Sequence, residues 1–282
     1  MTCDTPATSI IILGSGIVGT GLIAQLKNFS VNVETIPLRK FRSLNEVLKA
    51  KLDSATHVIW AGRDVAFISQ PNTNVNDFFH DFLFYLKSRT FPLHVTYISS
   101  GGAVYGNAEV FPTPESCVLN PISAYGKGKM LSEFFIKEIA QTNLSLSLLV
   151  LRPGNIYSFS ENDYSYLSIL ERAVRSQEGV KIVGGSQTRD FIHVDDFAAA
   201  AISLITKKNS GVFNIGTGIS LSLLTAQSIL EDFFCARIKV RYVKASKQDV
   251  FRSELDISKL CREIDFEPHS IHTVLKLRFI VK

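Results

Sequence analysis

The stretch SIIILGSGIVGTGLIAQLKNF, residues 9–29, constrains the fold more than any other part of the chain. An apolar, β-branched run stops at Gly14. Gly16 and Gly19 follow, and an apolar pattern of helical spacing begins. That order reads as strand, tight turn, helix. The alternation then repeats. VNVETIPL (31–38), THVIWAG (56–62) and LHVTYISS (93–100) read as strands, and LSLLVLRPGNIY (146–157) as a strand ending in a loop. SLNEVLKAKL, NVNDFFHDFLFYLKSR and SAYGKGKMLSEFFIKEIAQT between them read as helices. Continuous apolar strands alternating with helices predict an α/β fold whose parallel sheet is covered on both faces. Right-handed crossovers make that sheet doubly wound.

After residue 157 the pattern loosens into a helix over SYLSILERAVRSQ, one or two strands and a helix over 181–206, and a short mixed tail. The expected organisation is a dinucleotide-binding Rossmann domain over 1–157. A smaller mixed α/β lobe over 158–282 is the expected substrate side, with about 189–218 returning to the first domain. The composition is that of an ordinary globular chain of 282 residues, 46% hydrophobic and 20% charged. The net charge is +4 with no run of like charges, which gives no support to nucleic-acid or membrane binding. Cys3, Cys117, Cys235 and Cys261 are sparse and lack metal-ligand spacing, as in reduced cytoplasmic proteins. The N-terminus shows no signal-peptide pattern, and no apolar run reaches 18 residues. The expected location is cytoplasmic.

The turn GSGIVG (14–19) is the candidate phosphate cradle. A side chain at Gly14 or Gly16 hinders the turn or keeps a pyrophosphate off the backbone, and Gly19 lets helix and strand pack closely. Gly14, Ser15, Gly16, Ile17, Val18 and Gly19 are therefore candidate cofactor residues, with free N–H groups at the helix start. An NAD site usually places Asp or Glu at the end of the second strand. Here Glu34 sits inside the strand, and its end reads PLRKFR with Arg39, Lys40 and Arg42. Cations there suit the 2′-phosphate of NADP(H), with NAD(H) as the alternative.

Tyr125 and Lys129 lie four apart at the start of an expected helix and so share a face. An ammonium beside a phenol favours the phenolate. Tyr125 can then exchange a proton with a carbonyl or alcohol oxygen while hydride moves to or from a nicotinamide. Lys129 is also placed to hold the nicotinamide ribose.

The order of the motifs resembles the extended short-chain dehydrogenase/reductase family, in its sugar-nucleotide epimerase, dehydratase and 4-ketoreductase branch. The resemblance runs through GSGIVG, HVIWAG (57–62), NVND (74–77), YISSGGAVYG (97–106), PISAYGKGKMLSE, LRPGNIY, RDFIHVDD (189–196), GVFNIGTG (211–218) and RSELDISK (252–259). It implies that Tyr125 is the acid/base and Lys129 its partner. It places Ala61, Gly62 and Asn74 beside the cofactor and uses Pro153 to set a loop toward the nicotinamide. It brings Asn155, Arg189 and Arg252 to the diphosphate of a nucleotide-diphosphate sugar, where arginine forks bind well. It also implies a homodimer built on the YxxxK helix.

The sequence departs from that family in three places. The position for a catalytic Ser or Thr, four before Tyr105, is Gly101, so Ser100 becomes the best hydroxyl candidate and Ser99 the second. Side chains alternate along a strand, so a bulge at Gly101–Gly102 is expected to re-aim Ser100. Ser100 and Gly101 are both assigned to the substrate side. Leu13 stands where an extra glycine is usual, and SFSENDYSY replaces a glycine-proline element after LRPGNIY. His193, Asp195 and Asp196 fit a strand running into a helix cap, and no metal site is expected. His57 reads as a packed histidine, and the aromatics of DFFHDFLFYL as core. The first functional expectation is NADP(H)-dependent reduction of a nucleotide-linked 4-keto-6-deoxysugar. The alternative is an NAD-dependent nucleotide-sugar 4-epimerase, and the third is a dinucleotide-binding protein without catalysis.

Overall fold

The computed structural model describes residues 8–41, 43–62, 75–244 and 249–280, apart from the side chains of Arg39 and residues 75–77. The strands are β1 (Ser9–Leu13), β2 (Asn32–Ile36), β3 (His57–Trp60), β4 (Leu93–Ile98), β5 (Leu146–Pro153), β6 (Asn155–Tyr157), β7 (Val180–Val183), β8 (Thr188–His193), β9 (Gly211–Ile215), β10 (Ser220–Ser222) and β11 (Val240–Val243). The helices that concern the site are α1 (Ile17–Leu26), α2 (Glu46–Ser54), α3 (Val75–Ser88), the single turn α4 (Gly101–Val104) and α5 (Ala124–Thr142). Tyr166–Ser176 is α6, Val194–Thr206 is α7 and Leu223–Phe234 is α8.

A six-stranded sheet runs in the order β2-β1-β3-β4-β5-β9, and the first five strands pair in parallel. The expected α/β fold with a doubly wound parallel sheet is what the chain adopts. Smaller sheets have the orders β10-β8-β6 and β11-β7. Two compact units divide the chain. One comprises Met1–Ser99, Ala124–Leu151 and Ala201–Val212, the other Ser100–Ser123, Arg152–Ala200 and Phe213–Lys282.

In the first unit, every residue of β3 and β4 is buried, as the unbroken apolar runs require. Trp60 packs against Phe79 and Phe82 of α3 with ring centroids 4.8 and 5.1 Å apart. A side chain of that size contributes roughly 2–3 kcal/mol by leaving water. Of the helix aromatics, Phe78, Phe79 and Phe82 are core, but Phe84 is 60% exposed. It stands two residues from both Phe82 and Leu86, which turns it to the opposite side of the helix. The core of the second unit gathers Tyr157, Phe159, Leu167, Leu170, Leu223 and Leu230 around α6 and α8.

Three segments differ from their sequence reading. The second strand stops at Ile36, because Pro37 has no N–H for a ladder, and Leu38–Lys40 forms a 3-10 turn. LSLLVLRPGNIY is two strands. Gly154 breaks it where the backbone passes against Asp190, so close that a Cβ there would lie 2.6 Å from the Asp190 carbonyl oxygen. β6 then pairs with β8. The Gly101–Gly102 pair makes no bulge: β4 ends at Ile98 and α4 begins at once. The unexpected loop SFSENDYSY closes on Asp163, whose buried carboxylate accepts bonds from the Ser158 and Ser165 backbone N–H groups and the Ser165 hydroxyl. Among the described residues no helix is long and apolar enough to cross a membrane.

His57 and His94 lie side by side on β3 and β4, both buried, with ring centroids 5.0 Å apart. The Thr56 hydroxyl donates its one proton to the Ser9 carbonyl, so the His57 Nδ1 contact 3.1 Å away must be imidazole donating to that hydroxyl. His94 Nε2 donates to the Asn209 carbonyl at 2.9 Å. The other nitrogen of each ring, His57 Nε2 and His94 Nδ1, is buried without a partner among the described residues, and burial lowers the proton affinity of both rings. Burial, then His94 and Lys208, lowers His57 from 6.5 to about 4. Between those values the unfolded chain binds the extra proton, so stability is present above pH 6.5 and is lost as pH falls toward 4. Acidification across this window should cost the fold up to roughly 3 kcal/mol through this one group. Urea unfolding at several pH values checks this, and His57→Phe should flatten the slope; an unchanged slope refutes it.

Candidate active site

In the first unit the strand order reverses at β1, with β2 on one side and β3 on the other. Ligands of open α/β sheets bind outside the carboxyl ends of the strands at such a point. Gly14 stands there, with φ +129°, a conformation that side chains rarely adopt. A Cβ on Gly14 would lie 2.7 Å from the Ala61 carbonyl carbon and 2.8 Å from the Gly62 nitrogen. A Cβ on Gly19 would lie 2.2 Å from the Gly14 oxygen. Gly16 differs: a Cβ there meets nothing within 4 Å. Ser15 and Gly16 are exposed, while Ile17 and Val18 are half-buried in the first turn of α1. Two glycines thus serve packing, and the third leaves backbone open at a helix start.

No carboxylate stands at the end of β2. Ile36 is buried, Leu38 covers Gly62, and Lys40 is exposed. Glu34 is paired with Lys51 of α2. Arg42 and Asn74 lie outside the described residues.

Tyr125 occupies the first turn of α5, 43% exposed. Lys129, one turn on, is 4% exposed. Its ammonium donates to the Ile98 carbonyl at the end of β4, 2.9 Å away, and lies 5.1 Å from the Tyr97 ring centre. Gly126 and Gly128 between them are buried, which keeps this helix close to its neighbours. An open phenol one helical turn from a fixed, buried cation is suited to moving a proton.

The second unit gathers the remaining candidates. Ser100 is the N-cap residue of α4 and its side chain makes no capping bond. Ser99, which precedes it and belongs to the first unit, is buried with its hydroxyl unpartnered among the described residues. Gly101 is held between Leu255 and the Arg152 carbonyl, with 2.9–3.0 Å for a Cβ. At Gly102 a Cβ would lie 3.0 Å from Asn155 Oδ1 and 3.6 Å from Ser253 Oγ. Both of those oxygens are buried without a partner among the described residues. Such groups are costly unless a ligand or water completes them. Pro153 is buried before them.

Arg189 is half-buried and donates to the Thr188 carbonyl at 2.8 Å. Burial pulls its guanidinium down, and Asp249 works against that. Arg252 is half-exposed and pairs with Glu254 at 2.9 Å. Asp190, next to Arg189, has no exposure and accepts bonds from Thr217 and Gly218. Gly216 makes room for it, since a Cβ there would sit 2.4 Å from Oδ2.

A buried network supports these residues. Arg152 Nη1 donates to the Tyr105 hydroxyl at 2.9 Å, and that hydroxyl donates to Asn214 Oδ1 at 2.8 Å. Asn214 donates its Nδ2 to the Thr113 carbonyl and its backbone N–H to Glu115. Arg152, Tyr105 and Asn214 lie inside motifs that the sequence singled out, but nothing in the sequence tied them to one another. Ser253 and Glu254 lie inside another, and no pattern in the sequence marks them. Phe111 had no sequence signal. Among the described residues no group of three or more His, Cys, Asp or Glu is arranged to hold a metal.

The profile of one family, described as "NAD dependent epimerase/dehydratase family", matches residues 10–216. The chain belongs to that family. The chain is 32% identical over 169 residues to a putative UDP-glucose 4-epimerase of Methanocaldococcus jannaschii, covering 58% of this chain and 55% of that one. It is 25% identical over 178 residues to a dTDP-4-dehydro-6-deoxyglucose reductase of Escherichia coli, covering 62% and 56%. The matched stretch thus spans about half the length of these curated relatives. The crystal structure of the Thermotoga maritima UDP-glucose 4-epimerase with UDP-glucose is similar with TM-score 0.79, at 24% identity over 96% of this chain and 97% of that one. That likeness speaks for the fold.

For this family member the three turn glycines should separate cleanly. Gly14→Ala and Gly19→Ala should each lose about 2–4 kcal/mol of unfolding free energy through strain and clash. Gly16→Ala should stay within about 1 kcal/mol of the parent. Chemical denaturation measures all three; equal losses at all three positions contradict the assignment.

Proposed function

We propose that the chain is an NAD(P)-dependent 4-epimerase of a nucleotide-diphosphate sugar. The observation that carries this reading is the pair on α5: Tyr125 open to solvent, Lys129 buried and held by the Ile98 carbonyl. The epimerase relative supports the substrate class. Gly14, Ser15, Gly16, Ile17, Val18 and Gly19 hold the dinucleotide phosphates, with Ala61 and Gly62 beside them and Pro153 toward the nicotinamide. When bound, the nicotinamide supplies the hydride acceptor and donor for C4. Tyr125 takes the proton of the C4 hydroxyl and returns it once the sugar has turned over. Lys129 holds the charge on the phenolate and the ribose. Ser100 donates to the sugar oxygen, with Gly101 giving it room. Asn155, Arg189 and Arg252 hold the diphosphate.

A second reading, NADPH-dependent 4-ketoreduction, is favoured by one observation: the end of β2 carries the exposed Lys40 and no carboxylate. One set of measurements decides. Dinucleotide released from the purified protein is identified, NAD(H) and NADPH are titrated, and UDP- and dTDP-hexoses are followed by anion-exchange chromatography. Epimerisation without net redox change and retained NAD are expected. Tyr125→Phe should then lower turnover about 10²–10⁴-fold with dinucleotide binding unchanged. Turnover that survives Tyr125→Phe refutes both readings. An NADPH preference lost on Lys40→Ala, with ketosugar reduction, selects the reductase.

The functional unit is a homodimer through α3 and α5. A groove of about 360 Å³ lies between them, lined by His80, Leu83, Phe84, Lys87, Phe135 and Ile139. Phe84 and Phe134 are 60% and 54% exposed on these helices. Sedimentation should give a dimer that Phe84→Glu converts to monomer; a monomeric parent rules it out.

A further inference from the structure

Arg252 is held in an unusual way for an exposed arginine. Its guanidinium carbon lies 4.2 Å from the centre of the Phe111 ring, the distance of a cation resting on an aromatic face. One edge is fixed as well: Nη2 donates to Glu254 Oε2 at 2.9 Å. Glu254 is itself anchored, since the Ser220 hydroxyl donates to the same oxygen at 2.7 Å. The backbone of Arg252 is tied down by a bridge to Thr188 on β8. A guanidinium has five N–H donors in one plane. Only the Glu254 bond is made, so four donors have no partner among the described residues, on a side chain still 47% exposed.

A free surface arginine samples many rotamers and loses that freedom on binding. This one has lost much of it already. A planar fork fixed by a ring below and a carboxylate at one edge presents its remaining N–H groups in a set direction. That geometry suits two oxygens of one phosphate group, bound bidentately. Glu254 also repels anions, so the pairing makes sense only if the arginine's direction matters more than its full charge.

We propose that Phe111 is a positioning residue for anion recognition: its ring orients Arg252, with Glu254 as the edge restraint, toward the diphosphate of the nucleotide sugar. The inference rests on the proposed role of Arg252. Phe111 touches no reacting atom in this account, so it acts on binding and leaves turnover alone. The contact is to phosphate, so it is blind to the base.

The test uses the full chain with UDP and dTDP as probes, measured by titration calorimetry, and turnover on the productive sugar nucleotide. Phe111→Leu fills the same space without a π face. It should weaken UDP and dTDP about tenfold and equally, raise KM by a similar factor and leave kcat within about twofold. Phe111→Tyr restores the face and should restore affinity. In Arg252→Ala, adding Phe111→Leu should cost nothing further, because the ring acts through the arginine. If Arg252→Ala weakens both nucleotides and Phe111→Leu does not, the positioning role is overturned and the diphosphate reading stands. If Arg252→Ala leaves both affinities unchanged, the reading of Arg252 falls and the inference with it. A Phe111→Leu loss confined to one base, or persisting in the Arg252→Ala background, overturns the inference by showing that the ring contacts the ligand itself. Should Phe111→Leu unfold, Phe111→Met and Phe111→Tyr carry the same comparison.

Discussion

The close approach of Gly14 to the Ala61–Gly62 backbone is the constraint on which the first unit depends. Strands β1 and β3 are neighbours in register, Leu13 against Trp60, so the chain leaving each must clear the other within one residue. Only a residue without Cβ, in a backbone conformation of positive φ, can do so at Gly14. Gly19 then brings α1 down onto that turn. The result is a helix start whose exposed residues, Ser15 and Gly16, are free of packing duty. Backbone N–H groups left open at such a place form an anion site without any charged side chain. Packing and binding are thus divided among three glycines that look alike in the sequence.

The second unit depends on buried charge instead. Arg152 is 3% exposed and Asp190 has no exposure, burial pushes the Asp190 carboxyl above its ordinary value, and buried groups of this kind are tolerated only when they have partners. Arg152 finds the Tyr105 hydroxyl, the Glu115 carbonyl and the Tyr105 ring face. Asp190 finds the backbone and hydroxyl of Thr217 and the backbone of Gly218. These partners come from stretches more than a hundred residues apart, so the motifs VYG, LRPGNIY and FNIG are parts of one polar assembly. The assembly fixes the loop 106–120 and the Ser253–Asp256 segment in the same unit, where Asn155 and Ser253 leave unpaired oxygens.

Periodicity carried most of the fold. β1, β3 and β4 are near-continuous buried runs, legible because burial on both faces demands that pattern, whereas the edge strand β2 alternates between exposed and half-covered positions. The reading erred where a single backbone detail decided the outcome. In LRPGNIY the Pro153–Gly154 pair marks an end to the strand, but nothing local says that Asn155–Tyr157 begins another; its pairing partner, β8, lies far along the chain. The glycine pair after Ser100 permitted a bulge, and the chain begins a helical turn instead, with Gly101 packed against Leu255 and the Arg152 carbonyl. Phe84 was legible by counting around the helix, but aromatic residues crowded at every angle of α3 hide which member faces out. Of the site, Tyr125 and Lys129 were visible as a four-residue spacing. Phe111 and Glu254 were not, because their roles arise only when Arg252 folds against them.

The same Tyr–Lys pair serves an epimerase and a ketoreductase, so its geometry does not choose between them. What differs is the fate of the hydride. An epimerase gives it back to the sugar it came from, so its cofactor stays bound and has no need to be distinguished from its reduced pool. A reductase consumes its cofactor each cycle and gains from selecting the phosphorylated form. The residues that carry that choice are at the end of β2, some ninety residues from Tyr125 in sequence. There the chain lacks the carboxylate that favours a bare ribose hydroxyl, and a lysine stands exposed. Absence of the acid removes a repulsion against a 2′-phosphate, yet attraction needs a cation fixed in place. Lys40 makes no ion pair among the described residues, and a flexible ammonium is a weak discriminator. Arg39 and Arg42 flank it in the sequence, so the choice of dinucleotide turns on this basic stretch and not on the Tyr–Lys pair.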